Sequence, residues 1–216
     1  MKKCLFLLFA IFIGALQAYA QYSVMRDVFS QMPDSLLPYM SHNNRLDLID
    51  FAESGMEAEI TNSFDEQVRL TKLTSNYLRL ELSKASSVEM KLLPTEDLLP
   101  DTTKTIICLV YSFGEKTPFS NIRFYTSKWL PLSIENPITV HSDKLIIKPD
   151  TMGIELFDEL RNYLMPLYVS ASISETNDVI TMKASPQGTV PIDNKSKCLN
   201  YIIKQISIEW DGKTFK

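Results

Sequence analysis

Residues 77–94 of the chain read YLRLELSKASSVEMKLLP, and apolar and polar side chains alternate on both sides of a short polar break. Leu78, Leu80 and Leu82 fall on one face of an extended chain, and Arg79 falls on the other. This period of two is typical of strands with one buried face. The stretch therefore predicts an antiparallel hairpin with a core face and a solvent face.

The alternation continues on both sides of this hairpin. Further strands are predicted at residues 57–63, 67–73, 104–113 and 121–132. Before them, residues 24–32 repeat apolar side chains at helical spacing, and residues 45–54 do the same between a cap at Asn43 or Asn44 and a terminator at Gly55. The predicted class is therefore α+β, with helices packed on one face of a mostly antiparallel sheet.

The second half repeats this order on a smaller scale. Residues 131–149 predict a short connecting hairpin, and residues 154–165 predict a helix. Strands are then predicted at residues 168–175, 178–185 and 198–210. Because residues 168–186 echo residues 77–94, the chain is interpreted either as two unequal repeats or as two unrelated amphipathic hairpins. The predicted domains are residues 21–149 and 150–216.

The first twenty residues, MKKCLFLLFAIFIGALQAYA, predict a secretory signal peptide cleaved after Ala20. Two lysines precede an apolar run that is too short to span a bilayer, and a small-residue cleavage site follows it. No later window is long and apolar enough for a transmembrane helix. The predicted location is therefore the periplasm or the exterior, and the mature chain is expected to have no membrane-spanning segment.

Net charge bears on the possible binding partners, and the cysteines bear on a possible disulfide. The net charge of −4 and the absence of a basic cluster argue against nucleic acid as a partner. Cys108 and Cys198 remain after cleavage, and an exported compartment permits a disulfide between them. Cys108 lies among apolar residues, which favours a buried free thiol over the disulfide. The residues leave both alternatives open.

Motifs for catalysis, cofactor binding and metal binding are missing from the sequence. There is no nucleophilic-serine motif, no glycine-rich phosphate loop and no cysteine pair with zinc spacing. His42 is expected in a polar loop between helices, and His141 on a solvated strand. No catalytic, cofactor-binding or metal-binding residue is therefore predicted, and no cofactor.

Carboxylate pairs and tryptophans are the remaining candidates for catalytic or binding residues. Glu81 and Glu89 could face each other across the first hairpin, as a glycosidase pair would. Their expected place beside Lys91 on the solvent face favours an ordinary cross-strand charge pair instead. Trp129 and Trp210 are expected to pack in or at the rim of the core.

Whole phrases of the sequence resemble a known family. DVFSQMPDSLLPYM at residues 27–40, the segment RLDLIDF at residues 45–51 and the hairpin at residues 77–94 resemble an uncharacterised domain-of-unknown-function family of secreted Bacteroidales proteins. The resemblance covers nearly the whole mature chain and implies location in a Gram-negative envelope. It implies no catalytic residue.

Three functions follow as hypotheses. The first is a non-catalytic periplasmic or exported binding protein whose ligand is an envelope protein or glycan. The second is a small envelope hydrolase with a carboxylate pair assembled from distant strands. The third is a structural subunit of an envelope assembly, in which sheet edges pair between chains. Binding is favoured because the usual catalytic motifs are missing.

Overall fold

A computed structural model describes residues 23–96, 104–185 and 198–216 of the chain. Its contacts divide the chain into two compact units, which meet in sequence at Leu80 and Glu81. The predicted signal peptide, residues 1–20, lies outside the described residues. The predicted domain boundary between residues 149 and 150 follows from the proline-rich connecting stretch of residues 131–149, and it stays a prediction.

The first unit opens with the predicted helix-loop-helix. Helix α1 spans Ser23–Ser30, a 3₁₀ turn spans Asp34–Leu36 and helix α2 spans His42–Glu53. Helix α1 buries Met25, Val28 and Phe29, whose three- and four-residue spacing puts them on one side of the helix. The apolar period of the sequence therefore located this helix correctly.

Helix α2 begins at His42, three residues before the predicted start at residue 45. Ser41 caps it, accepting a hydrogen bond from the Asn44 backbone N–H, while the Asn44 side chain accepts one from the Ser41 N–H in return. Asn44 is thus the third residue of the helix and not its cap. His42 lies in the first turn of α2, with Nδ1 3.0 Å from the Ser30 carbonyl oxygen. The prediction that His42 sits in a loop was wrong.

A buried arginine holds this helix-loop-helix together. Arg45 is only 2% exposed, and its guanidinium donates to the carbonyl oxygens of Met40, at 3.1 Å, and Met32, at 2.7 Å. The same group lies 2.8 Å from the Asp34 carboxylate. A guanidinium can satisfy three acceptors at once because its donors form a rigid fork. Arg45 therefore fixes the loop between the two helices.

The predicted strands form a seven-stranded antiparallel sheet in the order β1 to β7. The strands are β1 Glu59–Thr61, β2 Gln67–Leu73, β3 Tyr77–Ser83, β4 Ser86–Pro94, β5 Thr105–Phe113, β6 Phe119–Thr126 and β7 Pro131–Leu132. Helix α2 packs against β1 and β2 within the first unit. An α+β class with antiparallel strands in sequence order is therefore confirmed.

A second sheet of three antiparallel strands lies in the second unit, with β10 and β8 on either side of β9. Its strands are β8 Tyr168–Ile173, β9 Val179–Ser185 and β10 Gln205–Glu209. Strand β8 packs against β4, β5 and β6 of the first sheet. As a result β4 and β5 are buried over most of their length, and the expected solvent face is absent from them.

The helices of the second unit correct two strand predictions. Helix α3, Pro137–His141, and a 3₁₀ turn, Ser142–Leu145, replace the hairpin expected at residues 131–149. Asn136 caps α3 by accepting from the Ile138 N–H, and Pro137 takes the first helical position. The long strand expected at residues 198–210 is instead helix α5, Leu199–Ile202, followed by β10. The predicted helix at residues 154–165 is confirmed as α4, Ile154–Asn162.

Candidate functional site

The main candidate is a row of four aromatic side chains at one end of β5, β6 and β8. This aromatic row consists of Tyr111, Phe113, Phe119 and Tyr168. Successive ring centroids are 6.3, 5.5 and 5.7 Å apart in that order, which is the spacing of interacting rings. Phe113 and Phe119 are direct partners across β5 and β6 and remain 38% and 40% exposed. The row therefore presents stacked apolar surface to solvent.

Polar side chains continue the same face of the sheet. Asn121 and Arg123 follow Phe119 at alternate positions of β6, so all three point to one side, and Asn121 is the register partner of Tyr111. Both polar residues are exposed, and Arg123 Nε donates to Asn121 Oδ1 at 3.3 Å. The face thus places an oriented guanidinium and an amide beside the rings.

The phenol of Tyr111 stays neutral at this site. Burial raises the pKa of the Tyr111 hydroxyl, Tyr125 raises it further, and Arg123 lowers it. An ordinary tyrosine already keeps its proton at physiological pH, and the net upward shift of the Tyr111 pKa moves its ionisation further from that range. Tyr111 can therefore both donate and accept a hydrogen bond at the inner end of the row.

The turn that carries the row requires a glycine. Gly114 follows Phe113 with a φ of +92°, and a Cβ added there would lie 2.5 Å from the Thr117 carbonyl oxygen. A contact that short is far inside van der Waals separation, and the positive φ also disfavours other residues. The Gly114 N–H donates to the Ala85 carbonyl oxygen at 2.8 Å. The turn is thereby tied to the neighbouring hairpin.

Four polar side chains on the opposite face hold β8 against the first sheet. This polar seam consists of Glu89, Lys91, Ser112 and Ser120. The hydroxyl of Ser120 accepts from the Ala171 N–H at 2.9 Å, and Ser112 and Ser120 Oγ lie 3.4 and 3.2 Å from the Ala171 carbonyl oxygen. The two hydroxyls are 2.8 Å apart. Ser112 and Ser120 directly neighbour the aromatic row in sequence.

The charged members of the seam bond further along β8. Glu89 accepts from the Ile173 N–H at 2.8 Å, and Lys91 Nζ donates to the Glu175 carbonyl oxygen at 2.6 Å. Ala171, Ile173 and Glu175 are spaced two residues apart, which is the spacing of backbone groups that point to the same edge of a strand. The polar seam therefore bonds to backbone groups of Ala171 and Ile173 on the outer edge of β8 and of Glu175 just beyond it, so this stretch is not open to another strand.

These positions correct the sequence interpretation of Glu89 and Lys91. Both were expected on a solvent face, but Glu89 is 4% exposed and Lys91 is 0% exposed. Burial lowers the pKa of the Lys91 ammonium, while Asp178 and Glu175 raise it. Glu81 is only half-buried. Because Glu89 accepts from the Ile173 backbone N–H and from the Ser172 hydroxyl, its role here is structural.

The remaining predicted residues fall in three places. His141 is buried at the end of α3, with Nε2 3.2 Å from the Phe215 carbonyl oxygen, so its prediction as a surface-strand residue was wrong. Trp129 and Trp210 are each 7% exposed, as expected for packing residues. Cys108 is buried in β5, where burial and Glu89 raise its thiol pKa, and Cys198 lies half-buried before α5. Their pairing stays a prediction.

A cleft of about 440 Å³ lies elsewhere in the second unit. Its lining residues are Ser142, Asp143, Ile146, Phe157, Arg161, Met165 and Leu167. It contains one carboxylate, that of Asp143. Among the described residues, no group of three or more histidine, cysteine or acidic side chains is placed to hold a metal ion.

Comparison with known proteins gives the chain a family. The family described as protein of unknown function DUF3256 matches residues 16–215. The chain belongs to this family. The predicted resemblance to an uncharacterised domain-of-unknown-function family is therefore confirmed.

One solved structure extends the DUF3256 comparison to the fold. A domain of an uncharacterized protein from Porphyromonas gingivalis W83 has a TM-score of 0.67 at 21% sequence identity. The match covers 89% of this chain and 96% of that one. No curated protein matches the chain. At this identity the likeness shows that this chain shares a fold with the Porphyromonas gingivalis protein, which comes from a member of the Bacteroidales.

Proposed function

We propose that this DUF3256 protein is an exported, non-catalytic binding protein that contacts a protein partner through the aromatic row. The observation that carries the proposal is the pair of cross-strand phenylalanines, Phe113 and Phe119, exposed at 38% and 40% within a stack of four rings. Burying such rings against a partner would remove apolar area from water, which favours association by roughly 25 cal/mol per Å² before the costs of binding.

The chemistry beside the rings fits a protein interface. Aromatic residues and arginine are enriched at interface hot spots, and a polar rim usually surrounds them. Arg123 and Asn121 supply polar groups on the same face, and Glu115 and Lys116 are exposed in the adjoining turn. A partner surface with an apolar pocket and a carboxylate near Arg123 would match this arrangement.

The backing of the row also supports binding. Ser112 and Ser120 tie the hairpin to Ala171 of β8 through hydrogen bonds of 2.9 to 3.4 Å. A surface on strands that are bonded on their other face needs little reorganisation when a partner docks. Such pre-organisation lowers the conformational cost of association.

Export to the periplasm or the exterior is part of the proposal. It rests on the lysines, apolar run and cleavage site of residues 1–20. Within the part of the chain that the structure describes, no helix is long and apolar enough to cross a membrane.

Two observations weigh against the alternative functions. The cleft has Asp143 as its single carboxylate, whereas a glycosidase needs two such groups. The outer strands of the seven-stranded sheet, β1 and β7, are three and two residues long. Edges that short offer few backbone groups for pairing between chains. Binding by a sheet face is therefore better supported than glycoside hydrolysis in this cleft or pairing along the edges of the seven-stranded sheet.

Site-specific photo-crosslinking tests the proposal. A photoreactive phenylalanine analogue is placed at Phe119 and, as a matched control, at Phe64, which is 62% exposed and lies in the first unit. The protein is then irradiated in an envelope extract of the source cells. We expect a discrete protein adduct at position 119 that is absent at position 64.

Competition decides whether the adduct reports the aromatic row. Excess unlabelled wild-type protein should abolish the adduct, and the double variant Phe113→Ser, Phe119→Ser should not. Equal adducts at positions 119 and 64, or equal competition by the double variant, would refute binding through the row.

A further inference from the structure

The cleft of about 440 Å³ in the second unit has the size and lining of a small-molecule site. One wall is the 3₁₀ turn Ser142–Leu145 with Ile146, and the other is α4, which contributes Phe157 and Arg161. Met165 and Leu167, from the link to β8, complete the lining. Apolar side chains thus form most of the surface, and charge enters only at Asp143 and Arg161.

The first wall is anchored to other elements. The His141 imidazole, at the start of this turn, bridges the Phe215 carbonyl oxygen at 3.2 Å and Lys144 Nζ at 3.1 Å. Ile146 forms a β-bridge with Ile203, and the Ile147 N–H donates to the Ile202 carbonyl oxygen at 2.9 Å. These contacts on both sides of Asp143 fix the backbone from which its side chain extends.

The second wall is held by core packing. Leu160 and Leu164 are both 0% exposed and anchor the end of α4. Phe157 and Arg161 are four residues apart, so they project from one side of the helix into the cleft. The two walls are thus supported independently and the cleft is formed before any ligand arrives.

The two charged groups are available to a ligand. Asp143 and Arg161 are exposed on opposite walls, and within the described ranges neither side chain forms an ion pair. A carboxylate recognises an ammonium group, and a guanidinium recognises a carboxylate through paired hydrogen bonds. With apolar surface between them, the charges complement a zwitterion that has an apolar body.

We propose that this cleft binds a short apolar peptide with free termini, its α-ammonium at Asp143, its α-carboxylate at Arg161 and its side chains against Ile146, Phe157 and Met165. This site is separate from the aromatic row. The peptide matches the cleft in the sign of its terminal charges and in its apolar side chains. The volume of the cleft also suits it, because clefts of about 300 to 1,000 Å³ are the usual size for small ligands.

Titration calorimetry with the dipeptides Leu-Leu and Leu-Phe tests the proposal. Each is measured free, N-acetylated and C-amidated. We expect each blocked form to bind the wild type about tenfold more weakly than the free form, as loss of one charge-assisted hydrogen bond predicts. Asp143→Asn should lose discrimination against acetylation only, and Arg161→Gln against amidation only.

Controls separate this proposal from the first one. Asp158→Asn removes an exposed carboxylate from α4 outside the cleft lining and should leave all affinities unchanged. The double variant Phe113→Ser, Phe119→Ser should bind the dipeptides like the wild type. Absence of binding by both free dipeptides, equal binding of blocked and free forms, or equal losses in Asp158→Asn would overturn the proposal.

Discussion

The polar seam predicts that replacing its two charged side chains by apolar ones has unequal effects on stability: Glu89→Leu is costly and Lys91→Met is nearly neutral. In Glu89→Leu the Ile173 N–H loses its acceptor at 2.8 Å, inside a site where Glu89 is only 4% exposed. A hydrogen bond to a charged group contributes about 1.5 to 3 kcal/mol, and an unsatisfied buried donor costs a similar amount. We expect Glu89→Leu to lower the free energy of unfolding by about 2 to 3 kcal/mol.

Lys91→Met provides the contrast. The Lys91 ammonium is fully buried, and burial is the main cause of its lowered pKa, so its charged form is disfavoured by the site. Methionine keeps the apolar stem and removes the charge. Glu175 and Asp178 are partly exposed, so water can hydrate the groups that Lys91 leaves. We expect a change within about 1 kcal/mol of zero, as for other buried charges replaced by apolar side chains.

Urea unfolding followed by tryptophan fluorescence measures both variants, since Trp129 and Trp210 are buried in the second unit with the seam. With a denaturant slope of about 2 to 3 kcal/mol per molar, Glu89→Leu should lower the midpoint by about 1 M. Glu89→Gln keeps an acceptor oxygen and should fall between the wild type and Glu89→Leu. The reasoning is refuted if Lys91→Met costs as much as Glu89→Leu, or if Glu89→Leu unfolds like the wild type.

Three further predictions follow from other buried or bonded groups. Burial raises the Cys108 thiol pKa, so the folded state keeps a proton that the unfolded chain releases above about pH 8.5. Between pH 7.5 and 9.5, urea unfolding should therefore show the wild type losing about 1.4 kcal/mol more unfolding free energy than Cys108→Ala. Arg45→Met leaves the carbonyl oxygens of the buried residues Met32 and Met40 without their donor, whereas water can hydrate the Asp34 side chain, which is 66% exposed; it should cost about 3 kcal/mol of unfolding free energy, and a loss below about 1 kcal/mol would contradict the bracing role. Hydrogen bonds from Lys216 and the backbone lower the Asp211 pKa to about 2. The ionised carboxylate therefore stabilises the fold above about pH 4, and this contribution is lost as the pH falls through about 2. Asp211→Asn should show a smaller drop in melting temperature between pH 5 and 2 than the wild type.

Sequence periodicity located most elements because it reflects local geometry. The alternation of residues 77–94 gave β3 and β4, and the apolar spacing of residues 24–32 gave α1. It failed at residues 138–149, where apolar residues also alternate. The signal that could have corrected this was local: Asn136 followed by Pro137 is a cap and first turn of a helix.

The candidate sites were much less predictable. Nothing in the sequence marks Phe113, Phe119 and Tyr168 as neighbours, because Tyr168 is far along the chain and meets them only when β8 packs on β5 and β6. The walls of the cleft likewise come from separate segments. Asp143 and Arg161 carry charges that on sequence grounds are typical of any solvated surface.

The α+β class, the antiparallel order of the strands and the resemblance to the DUF3256 family follow from the amino-acid sequence alone, because periods of two and 3.6 residues and whole phrases are local properties of the chain. Which polar side chains are buried depends on the tertiary packing. Glu89 and Lys91 alternate with apolar residues as surface groups would, yet the second sheet covers them, and they bond to the Ile173 N–H of β8 and to the Glu175 carbonyl oxygen just beyond it. Such pairing joins residues more than eighty positions apart, and no local pattern encodes it.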